Sequence, residues 1–377
     1  SGGSARSRER GEPGGGALSR VMITTGGTGG HVFPGLAVAE KLASRGAEVF
    51  WLGTREGMEA ALVPKHGVAF ESVSFRGVRG KGLKTLVLGP FALVAACVEA
   101  LSVIRRRAPD VVLGLGGFAS FPGALMAVAT GRPLVVHDAN AVAGLANRVL
   151  AWGADRVLLG LPDAMRGRHA RIVSWTGNPL RDAIAAVAPP AERFAGRAGP
   201  LRLLVVGGSL GAQGLNDRVP AALARLPAAA RPQVVHQAGT RHVEALARAY
   251  REAGVEAECV AFIDDMASRY AWADFAIARG GALTVSELAA VGLGSLIVPL
   301  PGAIADEQTA NAELLVRAGA AFRVAQDELD AGRLAATLAA LDRPKALAMA
   351  TAARALGRAD AADRVADACL EAARGRR

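Results

Sequence analysis

Cysteine is scarce in this chain: 377 residues carry three, Cys97, Cys259 and Cys369, far apart and without the spacing of a metal-ligand set. Nothing in them supports zinc, and they read as buried or idle thiols of a reducing compartment. The first 20 residues, rich in Gly, Ser and Arg, lack the apolar core of a signal peptide and are expected to form a disordered tail outside the fold. Acidic residues are in deficit, with 34 Asp and Glu against 44 Lys and Arg for a net charge of +10, which suggests an anionic partner. Several of those charges lie in the tails, at Arg6, Arg8, Arg10 and Arg20 and at Arg374, Arg376 and Arg377, and no nucleic-acid partner is expected. The dinucleotide fingerprint is also absent. Counting on from Gly27 and Gly29, the third glycine position is Val32, and Gly53-Thr54-Arg55 stands where an acidic residue should follow the second strand. A nicotinamide-dependent oxidoreductase is thereby disfavoured.

Hydrophobic residues, at 51%, allow a large core, and the length suits two domains. The stretch Gly26-Gly27-Thr28-Gly29-Gly30-His31-Val32-Phe33-Pro34-Gly35 follows an apolar run, Val21 to Thr25, and precedes an apolar-periodic one, Leu36 to Leu42. It reads as strand, glycine loop and helix start, a place where backbone N–H groups face something electron-rich. His31 is its one titratable side chain, and a helix N-terminus disfavours the imidazolium, which suits a neutral base. A tight strand-to-helix turn explains the glycines equally well. Further strands are expected over Glu48 to Leu52, Val68 to Val73, Asp110 to Leu115, Leu134 to His137 and Arg156 to Leu159. Their alternation with helices predicts a parallel sheet whose ligands lie beyond the carboxyl ends of the strands. Asn140 falls at such an end, where it either meets a ligand or caps a helix.

Phe75 to Arg107 combines a basic run through Lys84, an apolar stretch from Thr85 to Ile104, and Arg105-Arg106-Arg107. Gly89-Pro90 and Glu99 are expected to interrupt it, short of the roughly 20 apolar residues of a membrane span. Shallow insertion into an anionic membrane face suits it, as does an ordinary packed helix beside a solvated basic loop. A Pro- and Ala-rich link, Ala185 to Pro200, precedes a restart of the same pattern. Leu201 to Val206 runs into Gly207-Gly208-Ser209-Leu210-Gly211-Ala212, and Phe275 to Ala278 leads into a glycine turn and a helix carrying Thr284, Ser286 and Glu287. Glu287 either accepts hydrogen bonds from ribose hydroxyls or only favours the helix start. Two halves of this kind would face one another across a cleft.

Taken together, the first glycine loop, Thr176-Gly177-Asn178-Pro179-Leu180-Arg181, the second glycine loop, Gly281-Ala282-Leu283-Thr284-Val285-Ser286-Glu287 and Gln308-Thr309-Ala310-Asn311-Ala312 closely resemble the peptidoglycan-synthesising N-acetylglucosaminyltransferases of glycosyltransferase family 28. The resemblance runs from Val21 to the C-terminus. It implies the GT-B fold: α/β, two Rossmann-like domains facing across a cleft, each a parallel sheet with helices on both faces. The expected domains are 21–180 on the acceptor and membrane side and 181–357 for the UDP-sugar, with a helix near 358–375 packing back on the first. The implied reaction is inverting transfer of N-acetylglucosamine from UDP-N-acetylglucosamine to the 4-hydroxyl of the muramoyl sugar of lipid I, giving lipid II. It would take place on the cytoplasmic face of a bacterial inner membrane, without a cofactor and beside other cell-wall synthesis proteins.

By the same resemblance Thr28, Gly29 and Gly30 line the donor site and Asn140 meets the amino sugar. Arg181 and Ser209 serve the diphosphate, and the backbone of Ile263 meets the uracil. Ala282, Leu283, Thr284, Val285, Ser286 and Glu287 hold the nucleotide, Gln308 binds the donor sugar, and His31 is the candidate base. No Asp-x-Asp pair occurs, so helix N-termini and Arg181, rather than a bridging metal, are expected to take up the diphosphate charge. The chain departs from the family pattern at Asp138 and Ala139 (commonly Glu-Gln), at Ala278-Arg279-Gly280, at Glu307 and at Phe118, where tyrosine is common. The changes beside Asn140 are expected to touch the acceptor side of the cleft. They keep open a membrane-docked UDP-sugar-binding protein with weakened turnover, and a UDP-sugar epimerase of the same fold stands as a further alternative.

Overall fold

The computed structural model describes residues 19–75, 82–162, 164–165, 173–208, 211–302 and 306–375, with residues 82–88 by backbone alone. The first half runs β1 (Arg20–Thr24), α1 (Gly29–Ser44), β2 (Glu48–Thr54), α2 (Met58–Leu62), β3 (Ala69–Val73) and α3 (Gly82–Arg107). It continues with β4 (Val111–Gly114), α4 (Ser120–Ala129), β5 (Leu134–Asp138), α5 (Leu145–Leu150), β6 (Arg156–Leu159) and β7 (Val173–Trp175). The second half opens with α6 (Asp182–Ala185) and α7 (Pro190–Phe194), then β8 (Arg202–Val206), α8 (Gln213–Ala224), β9 (Gln233–Gln237), α9 (Val243–Glu252) and β10 (Glu258–Val260). It ends with α10 (Met266–Trp272), β11 (Phe275–Ala278), α11 (Ala282–Val291), β12 (Gly294–Ile297), α12 (Glu307–Arg317), β13 (Ala321–Arg323), α13 (Ala331–Ala339), α14 (Arg343–Ala355) and α15 (Ala361–Arg374).

Seven strands form one sheet in the order β3-β2-β1-β4-β5-β6-β7, and six form a second in the order β10-β9-β8-β11-β12-β13. The pairings given for them are parallel, for example Val21 with Val111 and Phe275 with Leu203. Parallel strands are covered on both faces, so their sequences read as continuous apolar runs. In the first sheet Met22, Phe50, Val112 and Val136 pack towards α3 and α4, while Val21, Ile23, Trp51, Leu113 and Val135 pack towards α1 and α15. The second sheet repeats the division, with Leu204, Ala276 and Ile297 on the α11 side and Leu203, Ile277 and Leu296 on the side of α8 and α13. The C-terminal helix therefore completes the first core: Val365, Ala366 and Cys369 are buried against it. Burial pushes the Cys369 thiol up to about 12, which keeps it inert.

The bounds of α1 and α3 differ from the sequence reading. Helix α1 begins at Gly29 rather than near Leu36, because extended Thr28 caps it and the Thr28 carbonyl accepts the N–H groups of His31 and Val32. Gly29, Gly30 and His31 are thus its first turn. Helix α3 passes through Gly89-Pro90 without ending, since packing of its buried face, including Ala96, Ala100 and Ile104, outweighs the roughly 3 kcal/mol a proline costs inside a helix. The interval from Ala185 to Pro200, expected as a plain link, holds α7, and Arg193 on it reaches five carbonyl oxygens, those of Ala188, Tyr270, Ala273, Val291 and Gly292. It thereby closes the carboxyl ends of α10 and α11 from within. Replacing Arg193 by Met strands those buried acceptors and is expected to destabilise the protein by about 3 kcal/mol or more in urea unfolding; a loss below about 1 kcal/mol contradicts this account of the junction.

Candidate active site

The loops that follow the strands of both sheets meet at one junction. Asn311, fully buried on α12, gives its Nδ2 to the Gly280 carbonyl (3.0 Å) and to Asn140 Oδ1 (3.1 Å), and its Oδ1 accepts the Ala141 N–H (2.8 Å). It binds the loop after β5 to the loop after β11. Asn178 does the same beside it, donating to the Ala139 carbonyl (3.0 Å) and to Ser286 Oγ (2.8 Å). Arg181 lies between the halves, its guanidinium 5.2 Å from the centre of the Phe33 ring on α1 and 4.0 Å from Glu287 Oε1 on α11. Side chains from the early turns of α1 and α11 therefore both approach one cation.

His31 is half-buried in the first turn of α1, and its Nδ1 lies 3.1 Å from the Leu115 carbonyl beyond β4. A carbonyl only accepts, so Nδ1 carries the proton and the neutral ring keeps a lone pair on Nε2. Desolvation holds this imidazole below its ordinary pKa, against the opposing pull of the Leu115 hydrogen bond. The neutral form expected from the helix dipole is thus favoured chiefly by burial. His137, at the end of β5, is wholly buried and falls to about 4 for the same reason, its Nε2 donating to the Gly177 carbonyl at 3.0 Å.

On the second half, Gly281 caps α11 in an extended conformation, and the first N–H with an intrahelical partner is that of Val285. The N–H groups of Ala282, Leu283 and Thr284 precede it, an arrangement that accepts an anion. The six residues from Ala282 to Glu287 divide by direction. Val285 is buried in the core, the Ser286 hydroxyl is taken by Asn178, and Thr284 and Glu287 are left to offer side chains. Burial raises the Glu287 carboxyl, opposed by a hydrogen bond from Tyr270 Oη at 2.9 Å and by Arg181. On α12, Gln308 Oε1 accepts the N–H groups of Gly280 (3.2 Å) and Leu300 (2.9 Å), which turns its amide NH₂ outward as a donor. Ile263 is buried just after β10, Thr28 is exposed, and Gly29 and Gly30 are half-buried at the start of α1. Ser209 lies outside the described residues.

Asp138 and Ala139 lie beneath the loop that carries Asn140. The Asp138 carboxylate accepts the N–H groups of Asn140 (3.1 Å) and Gly144 (3.1 Å) and Asn147 Nδ2 (2.9 Å), and Ala139 packs in the core with Leu161 and Leu180. Both face into the protein and build the loop that carries Asn140. Tyr270 and Asn311 are the residues whose placing the sequence reading missed. Asn311 lay within a quoted motif without an assigned part, and only a fold places the Tyr270 hydroxyl on a carboxylate 17 positions away.

Comparison with known proteins matches each half of the chain to a model of its own. The glycosyltransferase family 28 N-terminal domain model matches residues 21–159, and the family's C-terminal domain model matches residues 202–365. A protein of Aromatoleum aromaticum named UDP-N-acetylglucosamine--N-acetylmuramyl-(pentapeptide) pyrophosphoryl-undecaprenol N-acetylglucosamine transferase is 56% identical over 360 residues, which are 96% of this chain and 99% of that protein. The crystal structure of Acinetobacter baumannii MurG superposes with a TM-score of 0.81 at 36% identity, over 94% of this chain and 99% of that one. A putative UDP-N-acetylglucosamine 2-epimerase of Listeria monocytogenes matches with a TM-score of 0.64 at 16% identity, over 93% and 95% of the two chains, a likeness of fold alone.

The buried imidazoles make stability depend on pH. His137 is held at about 4, and His236, wholly buried against the Tyr250 hydroxyl, at about 3, both by desolvation. Each titrates near 6.5 when unfolded, so as pH falls below 6.5 the unfolded chain takes up protons that the folded chain refuses, and stability is lost down to the folded values. The loss is expected to approach roughly 1.4 kcal/mol per pH unit for each histidine. His236→Gln should flatten the slope of unfolding free energy against pH between 6.5 and 5 by that amount; an unchanged slope contradicts it.

Proposed function

The chain belongs to glycosyltransferase family 28, and from that premise we propose that it transfers N-acetylglucosamine from UDP-N-acetylglucosamine to the muramoyl sugar of a pyrophosphoryl-undecaprenol acceptor, converting lipid I to lipid II in peptidoglycan synthesis. The observation that carries the reading is Arg181 held close to side chains from the early turns of both α1 and α11, a cation near two helix starts that suits a sugar diphosphate. In this reading the uracil meets the backbone at Ile263 and the ribose hydroxyls donate to Glu287. Arg181, the N–H groups of Ala282 to Thr284 and Ser209 take the diphosphate. Gln308 gives its NH₂ to the donor sugar, Asn140 meets the acetamido side, and Thr28, Gly29 and Gly30 close the site from the first half.

The chemistry is then a single displacement. The acceptor 4-hydroxyl oxygen forms a bond to the anomeric carbon on the face opposite UDP, its proton passes to His31 Nε2, and the bond from that carbon to the phosphate oxygen breaks. The configuration inverts, and the charge left on UDP is met by fixed N–H dipoles and Arg181. His31→Ala is expected to keep UDP-N-acetylglucosamine affinity within a few-fold while turnover falls by roughly 10²–10⁴, as when a general base is lost. Full turnover in that variant excludes the base role.

The acceptor's lipid also calls for a membrane surface. No helix among the described residues is long and apolar enough to cross a bilayer. Phe91, Val94 and Val98 nevertheless share one exposed face of α3, and Leu145 and Val149 on α5, with Trp152 just past its end, form a second exposed apolar group. α4 packs against both helices, and Arg148 stands among the second group. Apolar side chains beside arginines suit shallow, peripheral insertion into an anionic leaflet, here the cytoplasmic face of a bacterial inner membrane, where other cell-wall synthesis proteins work. The basic run at Arg76, Arg79 and Lys81 and the side chain of Lys84 lie outside the described residues. Changing these four to Gln should weaken co-sedimentation with anionic vesicles, and unchanged binding returns α3 to an ordinary packed helix.

A further inference from the structure

Glu59 is a fully buried carboxylate that neither the glycine loops nor the proposed chemistry accounts for. It lies in the first turn of α2. Its Oε1 accepts the Thr54 N–H (2.9 Å) and the Thr54 hydroxyl (2.7 Å), and its Oε2 accepts the Gly27 N–H (3.1 Å). Three glycines from two separate stretches make room for it. A Cβ at Gly26 would stand 2.1 Å from Glu59 Oε1, one at Gly57 2.1 Å from Oε2, and one at Gly53 2.7 Å from Cγ. None of the three is among the glycines with positive φ, so they are glycine for space and not for backbone conformation.

We infer that Glu59 is the positioning residue for the loop that presents His31, an inference that rests on the reading of His31 as the base. The connection is short and continuous. Glu59 holds the N–H of Gly27, whose φ of +104° turns the chain, and the next residue, Thr28, caps α1 through its carbonyl and sets the direction of His31. From the other side the loop after β4, with Gly116 and Gly117, closes on the first glycine loop. A Cβ on Gly117 would lie 2.6 Å from the Gly26 carbonyl oxygen, and the Thr25 hydroxyl donates to the Gly116 carbonyl at 2.9 Å. The imidazole is thus fixed at Nδ1 by Leu115, and the loop that leads to its helix is fixed at Gly27 by Glu59. A base displaced by a fraction of an ångström from the acceptor hydroxyl loses rate without loss of the uridine contacts, which belong to the second half.

The socket allows selective lesions. In Glu59→Gln the remaining carbonyl oxygen can keep both Thr54 bonds, while the new NH₂ faces the Gly27 N–H and cannot accept it. Gly57→Ala leaves the charge intact and forces the carboxylate out of its place; it carries the test should Glu59→Gln fail to fold. Thr54→Val removes a bond to Glu59 that does not reach the loop. With full-length protein, UDP-N-acetylglucosamine and a lipid I analogue, Glu59→Gln and Gly57→Ala are expected to lower kcat by about 10- to 100-fold per folded molecule. UDP binding by calorimetry should stay within about twofold, and Thr54→Val should lower Tm while keeping kcat. Wild-type kcat in both socket variants, an equal fall in Thr54→Val, or a fall fully matched by lost folded protein overturns the inference. His31→Ala is run alongside. Full turnover there refutes the base, whereas its loss with intact turnover in the socket variants refutes Glu59 alone.

Discussion

Strands of a parallel sheet all end on the same side, and the loops beyond those ends are the only places where such a sheet offers backbone N–H groups to a ligand. Every feature of the candidate site follows from that polarity. The loops after β1, β4 and β5 bring His31, Gly116 and Asn140 to one edge of the first sheet. Those after β10, β11 and β12 bring Ile263, Glu287 and Gln308 to the edge of the second. Setting the two edges against each other makes a site that neither half holds alone. A helix starts beyond β1 and another beyond β11, so the junction receives two positive helix ends, and Arg181, near the early turns of both, adds a cation suited to an anion.

Such a junction is costly to build, because each polar group withdrawn from water there needs a partner. The chain meets that demand with amides. Asn178 and Asn311 each join a carbonyl or N–H of one half to a group of the other, and between them they fix the loop that carries Asn140. The crossing strand of chain is held from outside as well: Arg358, between α14 and α15, lies 4.1 Å above the Trp175 ring. Helix α15 then returns to the first core, where Arg45 on its partner α1 side pairs with Asp363 and Asp367. The relative placing of the halves is thereby tied at the hinge, at the loops and at the C-terminus.

The parts of this arrangement that were legible in the sequence are the ones with a strong local signature. Apolar runs such as Val21-Met22-Ile23 announce strands covered on both faces, and glycines directly after them announce loops that come close to a ligand or to each other. Three-residue edge strands such as β7 and β13 carry too little pattern to be read, and α1 and α3 obey tertiary packing over the local signals of glycine and proline. Long-range partners were not legible at all. Asp138 looked like an altered contact on the acceptor wall, yet its carboxylate is spent on Asn140, Gly144 and Asn147. Gly53 and Gly57, given no part in the sequence reading, are the walls of a socket for Glu59. In each case the deciding atom sits on another element.

The central claim is that this junction moves a sugar from a nucleotide diphosphate to a lipid-linked acceptor, with the leaving charge met by protein N–H groups and Arg181. Incubation of the purified protein with radiolabelled UDP-N-acetylglucosamine, a lipid I analogue and EDTA, followed by extraction, tests it directly. The account predicts that label passes into the lipid fraction in step with release of UDP. Binding of UDP-N-acetylglucosamine by calorimetry with no label in the lipid fraction, or release of UDP and an epimerised sugar without acceptor, would contradict it.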